Sequence, residues 1–217
     1  MREQGSSKAE RITELAQNES WEACAEMCMQ SIAKESDIDW REWYTARVTL
    51  AIATRGLSGQ DRCKGIEIAI WGIEEILARQ SLDADDVRMG ENYRALAYLY
   101  SKRASGGSDE NRMRSIEYYT RAMEILRADR VPEEWAGLAL ARAALLLDKV
   151  RDMTAEDIRD RAVRSNASQS MLDAIRMIEE AREIYEREGM ADELRTAHEL
   201  VDSARNMKAA PEGKKLQ

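Results

Sequence analysis

The chain has 217 residues, 44% of them hydrophobic and 34% charged, and its 41 Asp+Glu against 33 Lys+Arg give a formal net charge of −8. That acidic balance, with no Lys/Arg block beyond the short Lys214-Lys215 pair, lacks the positive footprint that phosphate backbones and anionic bilayers select, and argues against nucleic acid and membrane as partners. Only 2 Pro and 11 Gly leave few places for turns, so the composition points to an all-α protein.

No apolar run approaches the roughly 20 residues that a helix needs to cross a bilayer, and the segment from Met1 to Lys8 lacks the apolar stretch of a signal peptide. A cytoplasmic location is therefore expected. The three cysteines, Cys24, Cys28 and Cys63, fall inside helical patterns and are read as reduced thiols.

Along the chain, a helix pair is expected over 9–17 and 21–33, and Asp39 with Glu42 has the spacing of a capping box. Gly56 and Gly59, and later Gly106-Gly107, mark loops between helices. Pro132-Glu133-Glu134 opens a helix with proline and two carboxylates in its first turn, where they complement the dipole. From Trp135 onward Leu138, Ala139, Arg142, Leu145, Leu146 and Lys149 recur at steps of three and four, the stripe of a helix packed on one side. Thr154 to Asp157 starts a short helix expected over 155–164, and Asn166 with Gln169 starts the next long one. Gly189 suits the left-handed residue that ends it. About nine main helices are expected, in addition to the short one.

The pattern also repeats. Ile66-Glu67, Ile70, Ile73-Glu74 and Ile76 return as Ile116-Glu117, Thr120, Met123-Glu124 and Leu126, and the segment ending in Arg55 returns ending in Arg103. A third copy sets Trp135 at the head of its first helix and Ala174, Ile178, Ala181 and Ile184 along its second. Tyr100-Ser-Lys-Arg103 with Gly106, then Glu110-Asn111, Ile116, Tyr119, Ala122 and Leu126, then Pro132 to Ala136, resembles the long-period tetratricopeptide repeat of bacterial arrays, including those that accompany caspase-like CHAT peptidase domains. The resemblance implies a right-handed superhelix of antiparallel helix pairs. It places a capping pair at 7–36, repeats at 37–80, 84–128 and 131–187 and a capping helix at 190–207. These form one domain over 1–208, followed by a disordered tail at 209–217.

In that family the groove is lined by residues one, five and nine after the Trp-type position. Carried over, these are Arg41, Thr45 and Thr49 after Trp40, then Gly90, Arg94 and Tyr98 after Met89, then Ala136, Leu140 and Ala144 after Trp135. Of these, Arg41, Thr45, Thr49, Arg94, Tyr98 and Leu140 are the expected partner-binding set. Arginine beside tyrosine suits a protein or peptide segment that offers a carboxylate next to an apolar side chain. The function implied is a non-enzymatic protein–protein interaction adaptor or scaffold. The alternative is a self-associating structural or regulatory subunit of a larger bacterial complex, a homo-oligomer held by its outer face or ends.

Catalysis is not expected. His198 is the one histidine and lies far in sequence from every cysteine, and the peptidase half of a CHAT protein has no counterpart in these residues. Cys24 and Cys28 lack the paired spacing of a zinc site, so no metal is assigned. Glu74-Glu75, Asp83 to Asp86 and Glu179-Glu180 are read as helix-start carboxylates, since no phosphate-binding glycine motif accompanies them and no cofactor is implied. The arginines from Arg151 to Arg164 alternate with acids and read as a solvated face.

Overall fold

The structure is a computed structural model that describes residues 59–79, 87–154, 157 and 159–209, together with 11, 12, 14, 15, 18, 20, 23, 24, 26–28 and 30. Six helices are delimited in it: α1 (Gly59–Arg79), α2 (Val87–Lys102), α3 (Ser108–Ile125), α4 (Pro132–Arg151), α5 (Arg161–Glu188) and α6 (Ala191–Ala209). Among the described residues there is no strand, and no helix is long and apolar enough to cross a membrane. The chain divides into two compact units, Met1–Asn111 and Arg112–Gln217.

Sequence chemistry sets the helix ends. Pro132 occupies the first turn of α4 with Glu133 and Glu134, and Lys149 and Arg151 occupy the last, so charges of each sign meet the dipole end that favours them. Gly189 adopts φ 73° after α5, a left-handed conformation that costs glycine nothing, and Met190 N–H closes the turn on the Tyr185 carbonyl at 3.0 Å. The start of α5 differs from the expectation at Asn166. The Asp160 carboxylate caps it, accepting from the N–H groups of Ala162 and Val163 at 2.7 and 3.2 Å. With two orphan donors satisfied there, Asn166 falls inside a helix of 28 residues, exposed to solvent. Thr154 and Asp157 do cap one another: the Thr154 N–H and hydroxyl donate to the Asp157 carboxylate, and the Asp157 N–H donates back to the hydroxyl. These bonds hold the Asp157 carboxyl below the usual carboxylate range.

In the first unit, α1 packs on α2. Ile66, Ala69, Ile70 and Ile73 supply the buried face of α1, and Leu96, Ala97, Leu99 and Tyr100 that of α2. Two carboxylates of α1, spaced two turns apart, bind groups of the following helix and of the residue just past its end. Tyr100 donates its hydroxyl to Glu74 at 2.8 Å, and Arg103 grips Glu67. Glu74 is thus a tether in the middle of a helix, which corrects its reading as a helix-start carboxylate. The N-terminal residues bury Ile12, Cys24 and Cys28.

In the second unit, α4, α5 and α6 surround one core, with Ile116 of α3 joining it. Ala139, Ala143 and Leu147 of α4 meet Ala174, Ile178 and Ala181 of α5, and Ala197, Val201 and Ala204 of α6 complete the cluster. Alanine at so many of these positions lets the axes approach closely. The α4–α5 pair is antiparallel, since Gly137 lies beside Tyr185 while Arg142 reaches the Met177 sulfur at 2.9 Å. Half-buried Arg142 also donates its Nε–H to the Thr120 hydroxyl of α3 at 2.9 Å. Arg112 of α3 pairs with Asp152 at the end of α4. The first buried residue of α5 is Ala174; before it, residues 161–166 are all exposed and Met171 packs half-buried against the core.

Candidate functional site

The open face of α2 carries the residues of interest. Its buried side is formed by Gly90, Asn92, Leu96, Ala97, Leu99 and Tyr100. Of the positions between them, Arg94 is exposed, while Glu91, Ala95 and Tyr98 are half-buried. Arg94 is exposed and forms an ion pair with Glu91 one turn earlier. Tyr98 is half-buried, and its carbonyl accepts the Ser101 hydroxyl at 2.7 Å. Arg94 and Tyr98 are thus neighbours one turn apart on the same face. Glu91 completes the site and was not among the expected residues, although its spacing of three from Arg94 is visible in the sequence. Gly90 is buried and lines no surface. Asn92 is fully buried, and among the described residues neither of its amide atoms has a hydrogen-bond partner.

The remaining expected positions are placed differently. Arg41, Thr45 and Thr49 lie outside the described residues. Leu140 is only 7% exposed and belongs with Ala136, at 0%, to the core of the second unit. Accessible positions of α4 include Gly137, Ala141, Ala144 and Asp148, of which Ala144 was among the expected groove positions. Leu140 therefore packs where a groove residue was expected, because the apolar stripe of α4 is broad enough that a shift of one position exchanges core for surface.

The motif from Tyr100 to Asn111 performs structural work. The Arg103 guanidinium sits over the Tyr100 ring, 5.5 Å from its centroid, while its two donors hold Glu67. The Ser105 hydroxyl donates to the same carboxylate. Gly106 turns the chain at φ 80°, and Asn111 Nδ2 donates back to the carbonyls of Ser105 at 2.8 Å and Arg103 at 3.4 Å.

The nucleophilic side chains are placed as follows. Cys24 and Cys28 are buried, and burial raises both thiols above their ordinary value; the Cys24 hydrogen bond with Cys28 offsets part of its own rise and adds to that of Cys28. Cys63 is exposed on α1. His198 is exposed on α6. Among the described residues, no three or more His, Cys, Asp or Glu side chains gather as metal ligands would.

Among the described residues the protein is all-helical, and α2 sets exposed Arg94 one turn from half-buried Tyr98. No protein-family model matches the chain, and no curated protein matches it.

Proposed function

We propose that this chain is a non-enzymatic helical-repeat adaptor of the tetratricopeptide kind, and that the open face of α2 receives a segment of a partner protein. The observation that carries the reading is the adjacency of Arg94 and Tyr98 on that face. Arg94 now rests against Glu91, its own neighbour, in an exposed pair. Such pairs contribute little, so a partner carboxylate that offers two hydrogen bonds can displace it at small cost. The Tyr98 ring then supplies a flat amphipathic surface for an adjoining apolar side chain.

The repeat reading is supported by the antiparallel α4–α5 pair, which falls where the third repeat was expected, and by α6, which packs as the closing helix. It is also supported by the recurrence of a tether between an earlier helix and the residue ending a later one. Glu67 with Arg103 does this in the first unit and Arg112 with Asp152 in the second, with the charges exchanged. A bacterial, cytoplasmic setting belongs to the same proposal.

The test is capture of partners from source-cell lysate by the wild-type chain and by the Arg94→Glu/Tyr98→Ala variant, each first verified by circular dichroism to be equally helical. The segment so identified is then titrated as a peptide against both. Loss of about tenfold or more in affinity for the variant is expected from removing a two-bond, charge-assisted contact and one aromatic contact. Equal binding by both proteins would remove this face from consideration.

A further inference from the structure

The long helix α5 presents two faces of different character. One packs into the core through Ala174, Met177, Ile178, Ala181, Ile184 and Tyr185. The opposite face is open to solvent and carries Leu172, which is 55% exposed near the middle of the helix. Toward the N-terminus of that open face stands Arg161, with Arg164 beside it; toward the C-terminus stands Glu183. Neither Arg161 nor Glu183 takes part in an ion pair among the described residues, although most arginines of this unit are paired on their own helix or with a neighbour.

We propose that two copies of this chain associate through α5, antiparallel, about a two-fold axis passing beside Leu172, so that Arg161 of each copy meets the partner's Glu183. The geometry follows from the positions alone. Arg161 and Glu183 are equidistant from Leu172 on the same face, each roughly 16 Å along the axis at a rise of ~1.5 Å per residue. The positions between them mirror as well: Ser165 falls opposite the partner's Glu179, and Ser168 opposite the partner's Arg176. A hydroxyl donates to the carboxylate in the first case and accepts from the guanidinium in the second. Leu172 meets its own copy at the centre. A parallel pairing would instead set Arg161 against Arg161 and Glu183 against Glu183, and like charges opposite one another reject that arrangement. A closed two-fold contact of this kind is self-complementary and stops at two copies.

The opening turns of α5 give the reason for a second copy as the occupant. Residues 161–166 are all exposed, no residue before Ala174 is buried, and only Met171 among the apolar side chains of 161–172 leans half-buried on the core. The first turns thus lack a packed face, and a helical segment that short is marginal in water without one. Arg161 in the first turn also opposes the helix dipole. In the dimer this segment lies along the C-terminal half of the partner's α5, which its own core holds fixed. The inference does not depend on the α2 face, and a single helix pair of this size falls at the small end of specific interfaces, so the association is concentration-dependent and sensitive to salt.

Sedimentation equilibrium of the full chain at low ionic strength, from about 1 to about 500 μM, reads this directly. The wild type is expected to dimerise over that range. Arg161→Glu and Glu183→Arg are each expected to weaken dimerisation by about tenfold or more, and the double exchange Arg161→Glu/Glu183→Arg to return it to within about threefold of wild type. Leu172→Glu, at an exposed position that the fold does not need, is expected to be monomeric with unchanged helicity. A wild type that stays monomeric throughout the range overturns the proposal. So does a dimer that tolerates any of the three single changes, or a double exchange that fails to recover.

Discussion

Arg103 holds Glu67 through two parallel hydrogen bonds, Nε to Oε1 at 2.9 Å and Nη2 to Oε2 at 2.8 Å, and so ties the chain just beyond α2 to the body of α1. A planar fork of donors matching a carboxylate is a geometry that lysine cannot reproduce. The Tyr100 ring beneath the guanidinium fixes its plane, and the Ser105 hydroxyl meets the same carboxylate from the turn. Arg103→Lys is therefore expected to keep the charge but lose the second bond and the stacking. Because Glu67 is partly open to solvent, the cost is modest, about 1 kcal/mol, to be measured by denaturant unfolding.

The same pair gives a pH dependence of known sign. The hydrogen bonds from Arg103, and secondarily that from Ser105, lower the Glu67 carboxyl, while its burial opposes them. A carboxyl lower in the folded than in the unfolded state contributes stability above its unfolded value, and that contribution disappears as pH falls through the folded value. The wild type is thus expected to exceed Glu67→Gln in stability at neutral pH, with the gap closing under acid. Parallel unfolding curves from pH 7 down to about pH 3 check this; a gap independent of pH would show that the charge of Glu67 is not what matters.

Gly106 and Asn111 shape the turn that delivers Arg103. At φ 80° a side chain is strained whatever the space around it, and a methyl group there would meet Asn111 Oδ1 at an ordinary 3.6 Å. The expected cost of Gly106→Ala, about 1 kcal/mol, is accordingly conformational and not steric. Asn111→Ala removes both bonds from Nδ2 to the turn carbonyls, with an expected loss of about 1–2 kcal/mol. Thermal unfolding of the two single variants and the double variant is expected to show sub-additive effects, since both act on one turn.

Thiol chemistry distinguishes the three cysteines. Cys63 is exposed, whereas Cys24 and Cys28 are buried with their thiols raised mainly by desolvation, so little thiolate forms near neutral pH. Iodoacetamide at pH 8 is expected to label Cys63 rapidly and the other two only after denaturation. Mass spectrometry of timed digests reads the order, and early labelling at Cys24 or Cys28 would contradict the burial described.

How much of this was legible in the sequence differs by feature. The all-α architecture, the proline-opened α4, the glycine stop after α5 and the mutual Thr154–Asp157 cap were legible because each rests on chemistry within a few residues. The start of α5 was not, since Asp160 and Asn166 are both good caps and only the completed hydrogen bonds decide between them. Glu74 and Glu179 read as helix-start carboxylates, but their partners, Tyr100 on the next helix and Arg182 a turn along, put them in helix interiors. On the candidate site, Arg94 is exposed and Tyr98 half-buried one turn along α2, while Leu140 lies in the core of the second unit. Periodicity fixes a helix's apolar stripe to within about one residue, which suffices for a core and not for a recognition surface.

Two leucine-like residues of α5 show how far that distinction carries. Ile178 is fully buried at 0% exposure, whereas Leu172, fewer than two turns away, is 55% exposed. Ile178→Ala removes side-chain atoms from the shared core of α4, α5 and α6 and leaves a cavity there, with an expected cost of about 2–5 kcal/mol. Leu172→Ala removes atoms that already meet water and is expected to change the stability of the dilute chain by less than about 0.5 kcal/mol. Unfolding at about 1 μM, where self-association is absent, separates the two. A large loss at Leu172 under those conditions would mean that its apolar surface supports the fold of one copy, leaving no free surface for the contact between two.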